Sequence, residues 1–234
     1  MPAPTPSTVL QEDPKLTFPR EDWDLDFRAE LYKEEFYATD AWTRQRDDLV
    51  PPWTGSTRDE LTQLLALKKQ ERSKHIGEII REQQGSVLIG YCYGQLEFSA
   101  IDRPRTAELL HAAIYLGGSA VMYSKAYFNR VRPWVLEPDL SPPIPLPGQP
   151  AYPGGHATQM YLMALTLSVL SPNDKDSLLS MAENVALNRE RAGLNYPSDT
   201  AAGKTLAGRL FAILTSGDCP TFASTLDEAK KAEW

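Results

Sequence analysis

The sequence predicts an all-α fold, a compact helical bundle, on three observations. Apolar residues recur at the helical period over several long segments, alternating runs never exceed a few positions, and the segments are separated by proline or glycine. The chain has 234 residues, of which 42% are hydrophobic and 24% charged, the balance of a protein that buries a core.

Residues 1–20 are proline-rich and polar and are expected to form a loose arm; residues 21–234 are expected to form a single helical domain. A first helix is predicted over 28–38, approached through Trp23 and Phe27. Residues 58–84 read as one amphipathic helix, because Leu61, Leu64, Leu65, Ile76, Ile79 and Ile80 follow the 3.6-residue period between charges. A short helix or turn covers 86–97. Pro104 suits a first helical turn and opens a long helix to residue 130, in which Gly117 and Gly118 let a neighbour come close. Eight of the 19 prolines lie within 133–153, which predicts a stiff, extended loop. Helices follow over 156–170, 174–191 and 198–214, with Asn173 or Asp174 capping the second and Ser198 the third. A terminal helix covers 221–231.

A formal net charge of −7 argues against a nucleic-acid partner. The longest apolar stretches, 109–123 and 160–170, fall short of the roughly 18 to 20 residues that span a bilayer. The first residues lack a basic and an apolar region, so no signal peptide is expected. A cytoplasmic location follows, or a periplasmic one if an export signal has been removed. Cys92 and Cys219 show no metal spacing and read as inert thiols, with a disulfide between them left open.

Three constellations carry chemistry. Lys125 and Arg132 stand two helical turns apart, on one face, with Pro133 ending the helix. In PAYPGGHAT, residues 150–158, Gly154 and Gly155 precede a helix start, where the backbone can approach an anion and His156 stands at the mouth. In the third, Asn188 and Arg189 lead through Gly193 to Asn195, and Asp199 follows four residues later, within reach of the Asn195 side chain. Taken singly, each has an ordinary alternative: a solvated basic face, a tight turn, or a helix-terminal arginine.

Jointly they resemble the superfamily of type 2 phosphatidic-acid phosphatases, bacterial nonspecific acid phosphatases and vanadium haloperoxidases. That pattern is K-x6-R-P, then P-S-G-H, then S-R-x5-H-x3-D. This chain reads K-x6-R-P at 125–133, P-G-G-H at 153–156 and N-R-x5-N-x3-D at 188–199. The motifs span about a third of the chain. The resemblance implies that Lys125, Arg132 and Arg189, with backbone N–H groups at Gly154 and Gly155, bind phosphate oxygens. It implies that His156 is the general acid for the leaving alcohol and that Asp199 orients the residue at 195.

Position 195 departs from the pattern. The family's histidine there attacks phosphorus or binds vanadium, and an asparagine amide does neither. Asn195 reads as a replaced nucleophile, in an engineered or trapped form or in a natural non-catalytic relative. Gly154 and Asn188 replace two serines of the pattern. The function implied is metal-independent hydrolysis of a phosphomonoester or diphosphate, weak in this form. A vanadium-dependent haloperoxidase and a non-catalytic or repurposed phosphate-binding protein stand as alternatives. No cofactor is expected to be required, and phosphate or vanadate would occupy the site. The partner is a small phosphorylated substrate, with Tyr127, Phe128, Trp134, Ile144, Leu146, Tyr152 and Tyr196 as candidate apolar walls. A homo-oligomer is left open. His75 and His111 lie on helices without ligand partners and read as structural.

Overall fold

A computed structural model describes residues 22–234. The arm expected over 1–20 lies outside the described residues. Eleven α-helices and two short 3-10 turns make up the regular structure of the described residues, and no strand occurs among them.

Local chemistry explains most helix starts. Asp24 caps α1 (Leu25–Ala38), accepting a hydrogen bond from the Asp26 N–H at 2.8 Å. Thr39 caps the short α2 (Asp40–Gln45), and Ser56 caps α3 (Thr57–Gln70). The predicted helix over 58–84 is two helices instead, α3 and α4 (Arg72–Arg81), broken at Glu71 with φ −124°. No proline or glycine marks the break. It is set by tertiary bonds: Glu71 pairs with Arg191 at 2.9 Å, while Arg72 donates to the carbonyls of Arg191, Leu140 and Ser141.

Helix α5 (Gly85–Gln95) leads to α6 (Pro104–Phe128), which Asn129 closes in the left-handed region at φ 46°. The proline segment is less extended than its composition predicts. Pro133 opens a one-turn helix, α7 (Pro133–Leu136), and Pro138 opens a 3-10 turn (Pro138–Leu140), since proline at a first helical position gives up no bonded N–H. The remainder runs irregularly to α8 (Gly155–Leu170). Helices α9 (Lys175–Arg191), α10 (Pro197–Leu214) and α11 (Pro220–Ala232) complete the chain.

Helix α8 is the centre. It packs on α6, α9 and α10, and its Met160, Tyr161, Leu162, Met163, Leu167 and Leu170 are buried on all sides. α1 and α11 lie against α6, and α4 lies against α9. Ser198 does not cap α10: the cap residue is Tyr196, whose N–H donates to Asp199 at 2.9 Å. Cys92 and Cys219 are buried free thiols, each pushed up to about 12 by burial. Among the described residues, no helix is long and apolar enough to cross a membrane.

Candidate active site

Lys125 lies in the last turn of α6 and is 2% exposed. Its ammonium donates to the carbonyls of Pro150 and Ala151 at 2.5 and 2.8 Å. Arg132, in the extended link before α7, donates to the carbonyls of Gln149 and Leu194, both at 2.8 Å, and to Asn195 Oδ1 at 3.2 Å. The irregular segment before α8 thus holds both cations by its carbonyls.

Arg189 sits in the last turn of α9. That helix ends in a Schellman turn: Leu194 N–H donates to the Arg189 carbonyl and Gly193 N–H to that of Glu190, with Gly193 at φ 74°. The Arg189 Nε and Nη1 atoms are buried and make no hydrogen bond among the described residues. None of Lys125, Arg132 and Arg189 forms an ion pair among the described residues.

These cations feel one another and the loss of water. Burial, then Arg132, lowers Lys125 to about 7, although Asp199 opposes the shift. Burial brings Arg132 down to about 10, and burial with Arg132 does the same to Arg189. His156, in the first turn of α8, is lowered to about 3 by burial and then by Arg189, Arg132 and Lys125. The electrostatics therefore tie His156 to the three cations. Its Nε2 lies 2.7 Å from the Glu82 carbonyl oxygen.

Asn195 is satisfied at both ends. Its Nδ2 donates to the Ala151 carbonyl at 3.0 Å and to Asp199 Oδ2 at 3.1 Å, while Oδ1 accepts from Arg132. Only this amide orientation fits, because a carbonyl and a carboxylate accept and a guanidinium donates. Asp199, fully buried, takes that bond, the Tyr196 N–H and a 2.8 Å ion pair from Arg130.

All eight residues expected at the site converge, with one correction. The Gly154 N–H donates to the Asp199 carbonyl at 2.8 Å, so it is not free for a ligand. Free backbone donors belong instead to the first turn of α8, from Gly155 onward. A Cβ on Gly154 would stand 2.9 Å from the Asp199 carbonyl oxygen, so the serine of the family pattern does not fit this backbone unshifted. Tyr152, Tyr196 and Ile144 belong to the buried core, whereas Tyr127 and Leu146 are exposed.

Sequence reasoning missed the supports. Arg130 pairs with Glu60 at 2.7 Å as well as Asp199, donates to Ser198 Oγ, and stacks on Tyr196 with its guanidinium carbon 3.8 Å from the ring centre. Glu60 also accepts the Ser198 N–H. Glu82 holds His156 by its carbonyl and Asn188 by its carboxylate. Arg130 lies inside the K-x6-R spacing, and its neighbourhood was the available signal. Glu60 and Glu82 carry none. His75 and His111 pair with Glu78 and Asp26. Among the described residues, no group of three or more His, Cys, Asp or Glu side chains could hold a metal ion.

The sequence profile of the PAP2 superfamily matches residues 107–220, the stretch that holds every ligand position above. The chain carries a PAP2 superfamily domain. It is 28% identical to a non-specific acid phosphatase of Salmonella typhi over 137 residues, 56% of this chain and 53% of that protein. It is 27% identical to an acid phosphatase of Zymomonas mobilis over 184 residues, 76% of this chain and 63% of that one. The matched region thus spans between half and two thirds of these relatives. A solved transmembrane PAP2 type phosphatidylglycerolphosphate phosphatase from Bacillus subtilis aligns over 83% of this chain and 94% of its own, at 16% identity and a TM-score of 0.38.

Proposed function

We propose that the PAP2 domain of this chain binds the phosphoryl group of small phosphate esters, and that its histidine form hydrolyses them without a metal through a phosphohistidine. The observation that carries this reading is the set of buried, unpaired cations around a helix start. A buried donor without a partner costs about 1 to 3 kcal/mol, more when charged, and an oxyanion beside the Arg189 guanidinium would supply the partner that its buried Nε lacks. The acid phosphatase relatives support the reaction class.

Asn195 removes the covalent route, because an amide is not a usable nucleophile. An imidazole at 195 would find Asp199 Oδ2 and the Ala151 carbonyl already placed as acceptors. Asn195→His is therefore expected to raise turnover of an aryl phosphate by about 10⁴-fold, the order lost when such a nucleophile is removed. Rapid quenching into alkali, in which a phosphorus–nitrogen bond survives, should trap phosphohistidine. If the histidine form hydrolyses no phosphate ester while the asparagine form does, position 195 is not a silenced nucleophile.

A further inference from the structure

Asparagine stands at 188 where the family pattern has serine, and two carboxylates explain it. Glu82, which follows α4, is 1% exposed. Its carbonyl meets the His156 ring, and its carboxylate accepts from Asn188 Nδ2 at 3.0 and 3.2 Å. The same nitrogen lies 3.0 Å from Glu78 Oε2. Asn188 Oδ1 accepts from Arg191 Nη1 at 2.8 Å, which fixes the orientation of the amide. One amide hydrogen thus serves Glu78, and the other serves the two oxygens of Glu82. A serine hydroxyl has a single hydrogen and cannot serve both.

Glu82 and Arg189 are a buried anion and a buried cation that do not pair. Neither forms an ion pair among the described residues, and Arg189 Nε and Nη1 make no hydrogen bond among them. The two charges nevertheless act on each other. Burial, then Arg132, lowers Arg189, and Glu82 opposes that shift. Burial raises Glu82, and Asn188 is the largest influence against it, ahead of Arg189 and Tyr91. Glu78 is less dependent on Asn188, since His75 and Asn184 bond to it as well and solvent reaches it. Glu82 has no such reserve. A buried carboxylate stripped of its donors is driven towards a cation, because an unpaired buried charge is costly. Arg189 is the cation that acts on Glu82, and its unbonded Nε and Nη1 are the donors such a carboxylate would take.

We propose that Asn188 is a positioning residue for the phosphate site: by holding the Glu82 carboxylate, it keeps Arg189 unpaired and available to an oxyanion. Asn188 acts at one remove, through Glu82, and the residue it serves is its own neighbour in the last turn of α9. The serine of the family pattern suits a site without these two carboxylates. With Glu78 and Glu82 present, two hydrogens on one nitrogen are required.

This role rests on the phosphate-site reading above and is separable from it by calorimetry with sulfate on the full chain. Asn188→Leu, close in size but with no hydrogen to donate, should weaken sulfate binding by about ten- to a hundred-fold, the worth of one charge-assisted hydrogen bond. Adding Glu82→Gln to that variant should restore most of the lost affinity, because a neutral amide does not quench a guanidinium and the backbone carbonyl beside His156 is untouched. The gain from Glu82→Gln should be several-fold smaller in the parent, where Asn188 already holds the carboxylate. Circular dichroism checks that each variant is folded. If Asn188→Leu does not fold, Asn188→Asp, which also has no hydrogen for Glu82, carries the same cycle. Parent-like affinity in the position 188 variant overturns the proposal. So does an equal gain from Glu82→Gln in both backgrounds, or no gain in the variant, as expected of a residue that only fills space; both results leave the phosphate site standing. A parent chain that does not bind sulfate removes the phosphate site and this role together.

Discussion

At the scale of single residues, Asn195 is accommodated by charge as well as by hydrogen bonding. Burial pushes the Asp199 carboxyl above its usual value, and Arg130 is the largest influence against that shift. A buried carboxylate stripped of its partner costs about 3 to 5 kcal/mol, so an aspartate relying on an imidazolium alone would not tolerate asparagine. Arg130 supplies the counter-charge, and a neutral side chain at 195 suffices. Lys125 makes a second residue-level feature measurable. Its lowered value, about 7, means that the free site is half-charged there near neutrality. An anion favours the charged form, so binding takes up a proton at and above pH 7, and affinity falls as the pH rises through that value. Sulfate, which does not itself titrate in this range, should bind more weakly by up to about tenfold per pH unit between pH 7 and 9. Lys125→Arg should flatten the slope. Calorimetry showing a level profile in the parent chain would place the lysine's proton elsewhere.

Among the elements, the crossing of α8 and α10 sets the site's mouth. A Cβ on Gly203 would lie 2.6 Å from the Gly154 carbonyl oxygen and 2.8 Å from Ala157 Cβ, so the two helices meet at a distance that glycine alone permits. That contact lets the Asp199 carbonyl reach the Gly154 N–H and sets the entry of α8 beside Asn195. Gly203→Ala should destabilise the protein by about 1 to 3 kcal/mol, the usual range for overpacking, and weaken sulfate binding as well. Denaturant unfolding and calorimetry read both effects; a neutral substitution would show that the crossing is not tight. The same elements show what sequence reasoning can reach. α6 and α10 open on prolines, α9 closes on Gly193, and α8 is apolar throughout, so each was legible within a few residues. The break at Glu71 was not, because it is made by Arg191 and by carbonyls far along the chain. The short α7 was not either, since a dense run of prolines hides the two that begin turns.

Across the whole molecule, the candidate anion ligands were legible because they fall in three short motifs, although Arg132 lies in an extended link beyond the end of α6 and not two helical turns along it, while their supports were not. Glu60 and Glu82 lie on segments whose charges read as a solvated face, and only the folded chain brings them to Arg130, Ser198, Asn188 and His156. The superfamily match begins at residue 107, so it contains every ligand and neither of these supports. A piece limited to 107–220 should therefore fail to bind sulfate at millimolar concentration, whereas the full chain binds. Equal affinity in the piece would show that the first hundred residues are dispensable to the site. The Arg130–Asp199 pair has a consequence for mutational history. Because the charge at position 195 is already balanced from elsewhere, exchange between histidine and asparagine requires no second substitution to rescue the fold. Their codons differ by one base, so the histidine and asparagine forms of this site are neighbours in sequence space, each reachable from the other in a single step.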